Sequence, residues 1–177
     1  MAGLESGQEV ILDLIVPPSV ISANPTGARI YHMCSAVTVS ESVRIAYAKQ
    51  SVMENWMKSK PFFGEALFHH YWQKLQRSDK LMSHRICDVR TRTLLFLGYQ
   101  MDAFDAQHGG ELLEIHLSRE ELAQLVQTTP ETMSRLLHRL QDEGWVAPAK
   151  ERGMLFIRTK MLREFLVQHS DTVQSSM

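Results

Sequence analysis

Apolar residues recur at helical spacing in two short, adjoining segments of the last third of the chain. Ser118 and Glu121 have the spacing of a capping box, which predicts the start of a first helix. Thr129 followed by Pro130 predicts the start of a second helix, because proline fits the first helical position. The polar residues between the two segments predict a tight turn. The apolar positions, which must face a core, are Leu122, Leu125 and Val126 in the first helix and Met133, Leu136, Leu137 and Leu140 in the second.

The opposite face of the second helix carries hydrogen-bonding side chains, namely Glu131, Ser134, Arg135 and His138. An arginine can bind guanine O6 and N7 with two hydrogen bonds, and a glutamate can accept a hydrogen bond from cytosine N4. Any amphipathic helix has polar residues on its solvent face, so the stripe taken alone leaves both interpretations open. The capped helix and the short turn before it favour a recognition helix that reads the DNA major groove through Glu131, Ser134 and Arg135.

The residues after the second helix predict a β-hairpin. Gly144 can end the helix in a left-handed conformation. Two β-prone runs then flank the turn-forming sequence Glu151-Arg152-Gly153, and a short helix is predicted from about Lys160. The order of helix, turn, helix and hairpin predicts a winged helix-turn-helix domain.

The middle of the chain has the apolar spacing of a coiled coil. Steps of four and three residues join Phe68, Trp72, Leu75, Asp79, Met82, Ile86 and Val89. Asp79 is the polar member, and two interpretations stay open: it lies near the rim or pairs locally with Lys80 or Arg77, or it fixes the register of a dimer or helps to close a pocket between subunits. We expect homodimerisation through a seam that consists of Phe68, Trp72, Leu75, Met82 and Ile86.

The first fifty residues contain three β-prone runs, EVILDLIV, ARIYHMCSAVTV and SVRIAYA, with Pro17-Pro18 after the first. Apolar and polar residues alternate in HMCSAVTVSESVRIAY, so we expect two antiparallel strands there. A sheet of so few strands exposes its edges, which is a liability unless another element covers them.

Residues 88–165 resemble the cAMP receptor protein/fumarate–nitrate reductase regulator (CRP/FNR) family of bacterial transcription factors. The motifs LSREELAQLV, ETMSRLLHRL and G-M-L-F-I carry the resemblance. Glu131, Ser134 and Arg135 have the form E-x-x-S-R that is typical of the fumarate–nitrate branch, which implies an inverted repeat of TTGAT-like half-sites. One position departs from the family: Gln127 stands in the turn where glycine is usual, and a left-handed backbone there would cost about 1 kcal/mol.

The resemblance implies an α+β fold with a partial β-jelly-roll effector domain, a long dimerisation helix and a C-terminal winged helix-turn-helix. The four or five strands that normally precede the first β-prone run are absent, so we expect a true start upstream or a remnant left by truncation. A shorter helix is expected from Asp88 to about Met101, followed by a loop from Asp102 to Glu114. The expected divisions are 1–49 for the partial cyclic-nucleotide-binding-like domain, 50–87 for the dimerisation region, 88–168 for the DNA-binding domain and 169–177 for a disordered tail.

The function implied by the resemblance is that of a homodimeric, sequence-specific DNA-binding transcription regulator. Its expected partners are double-stranded DNA, a second copy of the chain, RNA polymerase and an unknown small-molecule effector. The alternative is a truncated dimeric remnant that binds a ligand or partner without productive DNA binding. Contacts to DNA phosphates are expected from Ser118, Arg119, Thr132 and Arg139.

The residues that the sequence lacks limit which effector the protein can bind. Cyclic-nucleotide-binding relatives hold the phosphate and ribose with a G-E pair and an R-S-A tripeptide, where this chain has Ser22-Ala23 and Cys34-Ser35-Ala36. The phosphate clamp is lost, so we expect no control by cAMP. The N-terminal cysteines of the iron–sulfur branch are also missing. Cys34 is either a redox sensor or haem ligand or, as is commoner for a lone strand cysteine, buried and inert.

A nine-residue loop indicates a different signal. Ala23 to Tyr31 is similar to a loop in regulators of halogenated-phenol respiration, which implies a small organic or redox effector. The candidate effector residues are Asn24, Thr26, Arg29, Tyr31 and Cys34.

Composition narrows the class further. The chain has 177 residues, of which 44% are hydrophobic, enough for a sizeable core. With a net charge of −1 the chain as a whole is not basic, so DNA contacts must come from local basic residues. Two cysteines without a CxxC motif fit a reducing cytoplasm. Without a membrane-length apolar run or a catalytic constellation, we predict a cytoplasmic protein that is not an enzyme and has no metal or cofactor. The local basic residues are Arg119, Arg135, Arg139, Lys150, Arg152 and Arg158.

Overall fold

The computed structural model describes residues 2–3, 9–16, 18–21, 34–39, 42–83, 86–108, 110–147 and 154–174. Within these ranges, helices and two small antiparallel sheets form the predicted α+β fold. No helix in these ranges is both long enough and apolar enough to cross a lipid bilayer. The elements are β1 (Ala2–Gly3), β2 (Glu9–Val10), α1 (Gln50–Ser59), α2 (Pro61–Ser83), α3 (Val89–His108), β3 (Leu112–His116), α4 (Arg119–Val126), α5 (Pro130–Asp142), β4 (Val146–Ala147), β5 (Met154–Arg158) and α6 (Thr159–Gln174).

One hydrophobic core holds the C-terminal half together, and α3, α4, α5, all three strands of the larger sheet and α6 contribute to it. The apolar faces predicted for α4 and α5 are confirmed, with Leu125 partly buried and the others buried. Because one face of α5 is fixed in this core, its opposite face must point to solvent. The core residues with almost no exposure include Leu94, Leu97, Leu122, Met133, Leu140, Ile157 and Leu162.

The larger sheet has the strand order β3-β5-β4 and is antiparallel throughout. Strands β4 and β5 pair antiparallel, as the predicted hairpin requires, and the residues between them, 148–153, lie outside the described residues. The loop predicted from Asp102 to Glu114 is wrong, since α3 continues to His108 and β3 begins at Leu112. Strand β3 pairs with β5, which is far away in sequence, and tertiary pairing of this kind overrides a weak local pattern.

Helices α3 and α6 approach each other closely at Gly98. A Cβ atom at this position would lie 2.6 Å from Leu166 Cδ2 and 2.7 Å from Leu166 Cδ1. Glycine inside a helix costs about 1 kcal/mol relative to alanine, so the close approach of α6 explains why α3 has a glycine there. Helix α6 begins at Thr159 and continues to Gln174, so residues 169–174 are helical and do not belong to a disordered tail.

We expect Gly98→Ala to destabilise the fold by about 1–3 kcal/mol through overpacking, offset in part by the better helix propensity of alanine. Leu166→Ala removes the obstructing atoms, so in that background Gly98→Ala should cost less or stabilise. Urea unfolding of both single variants and the double variant measures this coupling, which should be about 1 kcal/mol or more. Additive effects would show that Leu166 does not restrict position 98.

The N-terminal fifty residues form little regular structure in their described parts. Strands β1 and β2 pair through Ala2 with Val10 and Gly3 with Glu9. Residues 34–39 and 42–49, which cover most of the predicted antiparallel pair, contain no strand and are exposed, so that pair is not formed by them. A β-prone sequence becomes a strand only where a neighbouring strand takes up its backbone hydrogen bonds.

The predicted long helix is present as α2, but it ends before the apolar heptad pattern does. Helix α2 is described as far as Ser83, and Ile86 and Val89 of the heptad pattern lie beyond it, with Val89 as the first residue of α3. Asp88 precedes α3 and accepts hydrogen bonds from the Thr91 backbone N–H at 3.1 Å and from the Thr91 hydroxyl at 2.8 Å. The backbone bond foremost lowers the pKa of Asp88 below its ordinary 3.8, as expected for a carboxylate that caps a helix.

Candidate nucleic-acid interface

The start of α4 is fixed by the predicted capping box. Ser118 Oγ accepts a hydrogen bond from the Glu121 backbone N–H at 3.2 Å, and Glu121 Oε2 accepts one from the Ser118 N–H at 2.7 Å. Two free backbone donors are thereby satisfied. Arg119 is the first residue of α4, so the capping box fixes the position from which this exposed side chain projects.

The turn between α4 and α5 has a left-handed backbone at Gln127, with φ at 59°, at the position where the family usually has glycine. Its geometry is held by Thr128 N–H, which donates to the Ala123 carbonyl at 2.9 Å. Arg92 of α3 donates from Nη2 to the Gln127 carbonyl at 3.3 Å and from Nη1 to the Cys87 carbonyl at 3.2 Å. These bonds from α3 support a conformation that costs a non-glycine residue about 1 kcal/mol.

The start of α5 is also capped as predicted. Thr129 Oγ1 accepts a hydrogen bond from the Thr132 backbone N–H at 3.2 Å, and Pro130 occupies the first helical position. The Thr129 hydroxyl also donates to Thr132 Oγ1 at 3.0 Å. The buried apolar face then leaves the opposite face exposed at Glu131, Arg135, His138 and Arg139, with Ser134 partly buried.

The structure brings one predicted phosphate-contacting residue into contact with one predicted base-reading residue. Arg119 Nη1 of α4 donates to Ser134 Oγ of α5 at 3.0 Å. Sequence spacing did not indicate this bond, because it joins two helices through their crossing angle. An open cleft between the helices is lined by Arg119, Glu120, Pro130, Glu131, Ser134 and Arg135. Ser118 and Thr132, which are also predicted to contact phosphates, take part in the two helix caps.

The electrostatics of the cleft favour a charged Glu131. Its own backbone N–H, the Thr129 hydroxyl and the positive charge of Arg135 lower the pKa of this exposed carboxyl below its ordinary 4.5. A carboxylate in the first turn of a helix is also favoured by the helix dipole. At neutral pH the face therefore presents an acceptor, Glu131, one turn before a donor, Arg135.

The far end of α5 is anchored by contacts that the sequence analysis missed. Arg90 of α3 forms an ion pair with Glu143, with Nη1 at 2.6 Å from Oε2 and 2.8 Å from Oε1. The Arg90 guanidinium carbon also lies 5.7 Å from the ring centroid of Trp145. The Trp145 ring in turn meets Phe165 of α6 edge-on. Arg90 and Glu143 are 53 residues apart in the sequence, and no periodic pattern connects residues at such a distance.

The predicted dimer seam and Asp79 lie on α2, away from the helix-turn-helix in sequence. Phe68, Trp72 and Leu75 of the seam lie on α2 with 70%, 49% and 53% of their surface exposed, and the first two rings stack 6.4 Å apart. The side chain of Met82 lies outside the described residues. Asp79 is exposed. Within the described residues Arg77 makes no ion pair with it, so of the two local partners considered, Lys80 and Arg77, the second is excluded.

The effector candidates lie mostly outside the described residues. These are Asn24, Thr26, Arg29 and Tyr31, together with Ser22-Ala23. Cys34 is described and is an exposed free thiol, so the expectation of a buried cysteine at this position is wrong. Nothing in residues 34–39 encloses it, because no strand forms there.

Two capped helices joined by a tight turn and followed by a hairpin define a winged helix-turn-helix protein. Residues 91–165 match the model of the Crp-like helix-turn-helix domain. The chain is 29% identical over 145 residues to the CRP-like cAMP-activated global transcriptional regulators of two Mycobacterium tuberculosis strains, CDC 1551 / Oshkosh and H37Rv. The match covers 79% of this chain but only 63% of each of those proteins.

Two solved structures share the fold. FixK2 from Bradyrhizobium japonicum has a TM-score of 0.54 at 19% identity, over 67% of this chain and 59% of that one. A CooA mutant from Carboxydothermus hydrogenoformans has a TM-score of 0.51 at 22% identity, over 63% of this chain and 52% of that one. Residues 91–165 therefore carry a Crp-like helix-turn-helix domain, and the chain is similar to transcription regulators of the CRP type.

Proposed function

We propose that this protein binds double-stranded DNA sequence-specifically as a homodimer and reads an inverted repeat of TTGAT-like half-sites through α5. The observation that carries the proposal is the exposed face of α5, on which Glu131, Ser134 and Arg135 lie together beside Arg119. Helix caps at both α4 and α5 and a shared core hold this face in place. Such preorganisation is what a recognition helix requires.

Each side chain on this face has a matching group in the major groove. Arg135 can donate two hydrogen bonds to guanine, and the ionised Glu131 can accept one from a cytosine amino group. Ser134 accepts from Arg119, and its own hydroxyl hydrogen stays available to a base or a phosphate. The guanidinium of Arg119 would then lie at the edge of the groove, where phosphates run.

Phosphate binding would come from local charge, because the chain as a whole has a net charge of −1. Arg119, Arg139 and Arg158 are exposed on or beside the helix-turn-helix and the hairpin. Contacts of this kind position a protein on DNA and make the affinity depend on salt concentration. Lys150 and Arg152 lie outside the described residues, and we propose from the sequence that they add to these contacts.

Dimerisation is proposed to occur through the seam on α2. Two recognition helices must lie about 34 Å apart to enter successive major grooves on one side of B-DNA. Exposed Phe68, Trp72 and Leu75 follow coiled-coil spacing, so two copies of α2 can bury them against each other. RNA polymerase and a small-molecule effector remain proposed partners on the basis of the family alone.

The test is a gel shift at one fixed salt concentration with two duplexes of equal composition, one with the inverted repeat and one scrambled. We expect the inverted repeat to bind on the order of a thousandfold more tightly. A duplex with one half-site should bind weakly, since it engages a single recognition helix. Equal binding of the inverted and scrambled duplexes would contradict sequence-specific reading and favour the alternative, a dimeric remnant without productive DNA binding.

We also expect DNA affinity to be unchanged by cAMP and cGMP at millimolar concentration. Ser22, Ala23 and Cys34 stand where cyclic-nucleotide-binding relatives have a phosphate clamp, and none of them carries a positive charge. Calorimetry with cAMP on this chain, and on a version extended by the family's preceding strands, checks the expectation. Micromolar binding to the extended version would contradict it and would make Arg29 a candidate phosphate ligand.

A further inference from the structure

Arg119 of α4 forms a hydrogen bond with one of the proposed base-reading residues of α5. Its Nη1 atom donates to Ser134 Oγ at 3.0 Å. Both ends of the bond are held by the fold, since the capping box fixes the start of α4 at Arg119 and the buried neighbours Met133 and Leu137 fix α5 at Ser134. The Ser134 hydroxyl is therefore oriented by the protein before any DNA is bound.

A serine hydroxyl is by itself a weakly selective reader of DNA. It has one hydrogen atom to donate and two lone pairs with which to accept, so it can contact either kind of base edge in the major groove. A neighbouring group that takes away one of these two roles makes the serine selective for the other. Arg119 is such a neighbour of Ser134.

The hydrogen bond from Arg119 leaves Ser134 as a donor. It occupies one lone pair of Ser134 Oγ, and the hydroxyl hydrogen must point away from the guanidinium group. The guanidinium carries a permanent positive charge, which repels any further N–H group that approaches the same oxygen. The same charge polarises the O–H bond and strengthens the hydrogen bond that it can donate. Ser134 is thereby suited to a base that offers an acceptor.

The two cationic side chains of the cleft act on different neighbours. The backbone N–H of Glu131, the Thr129 hydroxyl and the positive charge of Arg135 lower the pKa of Glu131. Arg119 instead donates to Ser134. The cleft between α4 and α5 thus contains two separate polar pairs, one of Glu131 with Arg135 and one of Ser134 with Arg119.

We propose that Arg119 determines base specificity by holding Ser134 as a hydrogen-bond donor. Ser134 then selects thymine, whose O4 atom is an acceptor in the major groove, and rejects cytosine, whose N4 amino group is a donor. The guanine of the proposed half-site is assigned to Arg135, so thymine is the base left for Ser134. Arg119 is a positioning residue in this role, since it acts on the base through Ser134. The inference rests on the proposed function, because it requires that α5 reads DNA.

This role is compatible with a phosphate contact by Arg119 and can be separated from it. A guanidinium group has five N–H donors, so donors remain for a phosphate after one is used on Ser134. An arginine that contacts only phosphate affects all DNA sequences alike. Arg119 should in addition change the preference among bases at the one position that Ser134 reads.

The test measures the affinity of the full chain for duplexes that differ at one position of one half-site. Selection from a randomised half-site with Ser134→Ala identifies that position, because this variant should lose its preference for thymine there. Uracil and cytosine are then compared at that position, since uracil has the O4 acceptor of thymine without its methyl group and cytosine has a donor in the same place. The wild type should prefer uracil by about tenfold.

Variants assign this preference to the Arg119–Ser134 pair. Arg119→Ala should lower it from about tenfold to about twofold, because the freed oxygen can accept from cytosine. The preference for G·C at the position read by Arg135 should be retained. In the Ser134→Ala background, Arg119→Ala should cause no further change in the ratio. Arg139→Ala is the matched loss of charge on α5, and it should weaken binding to both duplexes equally and keep the wild-type ratio.

The proposal is overturned if Arg119→Ala weakens binding to the uracil and cytosine duplexes equally, which is the result expected of a phosphate contact alone. It is also overturned if Ser134→Ala changes no base preference, or if Arg119→Ala removes the preference at the Arg135 position as well, which is the result expected of a displaced α5. In all three cases the wild type still prefers the inverted repeat to the scrambled duplex, and the proposed function stands. Equal binding of those two duplexes by the wild type contradicts both.

Discussion

A Leu75→Asp variant is expected to sediment as a monomer and to lose tight binding to the inverted repeat. In the proposed dimer Leu75 meets its symmetry mate in the α2 seam, so the substitution places two like charges against each other in an apolar contact. Removal of apolar burial and the cost of the buried charges should weaken the dimer on the order of a thousandfold. Sedimentation velocity over a range of concentrations measures this directly.

The control is Val167→Asp on α6, which makes the same kind of change at a side chain that is 70% exposed. It should leave both the dimer and DNA binding unchanged, because it lies outside the seam. Circular dichroism would verify that both variants keep their helices. An intact Leu75→Asp dimer would reject the seam, and the search for the dimer contact would move to the other exposed apolar side chains of α1 and α2.

The second large effect is expected at Arg135. Arg135→Ala should weaken binding to the cognate inverted repeat by about 1–3 kcal/mol per half-site and flatten discrimination at one G·C pair. The reason is that guanine recognition needs the two donors of the guanidinium, which alanine lacks. Selection from a randomised half-site library, followed by titration of single-base variants, measures both quantities.

Arg139→Ala provides the contrast, since this residue is proposed to contact phosphate. It should weaken all sequences alike and reduce the slope of log affinity against log salt by about one. Lys58→Ala on α1 loses the same charge at an exposed site and should change neither quantity. If Arg135→Ala kept its full base preference, Arg135 would not be a base-reading residue.

Local sequence was sufficient for the helix-turn-helix because its signals act within one helical turn. The capping box of Ser118 and Glu121 and the cap at Thr129 both depend on residues three apart. The buried face of α5 follows from apolar residues that recur every three or four positions. Once that face is buried, the exposed position of Glu131 and Arg135 follows without further information.

Predictions failed where a strand needed a partner from elsewhere in the chain. The β-prone residues 34–39 and 42–49 form no strand, whereas β3 forms in a region expected to be a loop. Both outcomes have one cause: strand β3 has β5 beside it to complete its hydrogen bonds, and those two segments have no such neighbour within the described residues. The spacing of apolar residues within one segment does not indicate which distant segment will pair with it.

The sequence by itself determined the two capped helices, the hairpin, the buried stripe of α5 and the coiled-coil spacing on α2, because all of these are encoded by spacings of a few residues. Only the tertiary structure decided which helices cross. It brings Arg119 to Ser134, Arg90 to Glu143 and Trp145, and α6 against Gly98. It also buries Nε and Nη2 of Arg77, which have no hydrogen-bond partner within the described residues. These contacts join residues distant in sequence, and they depend on how the shared core sets the elements at fixed angles and distances.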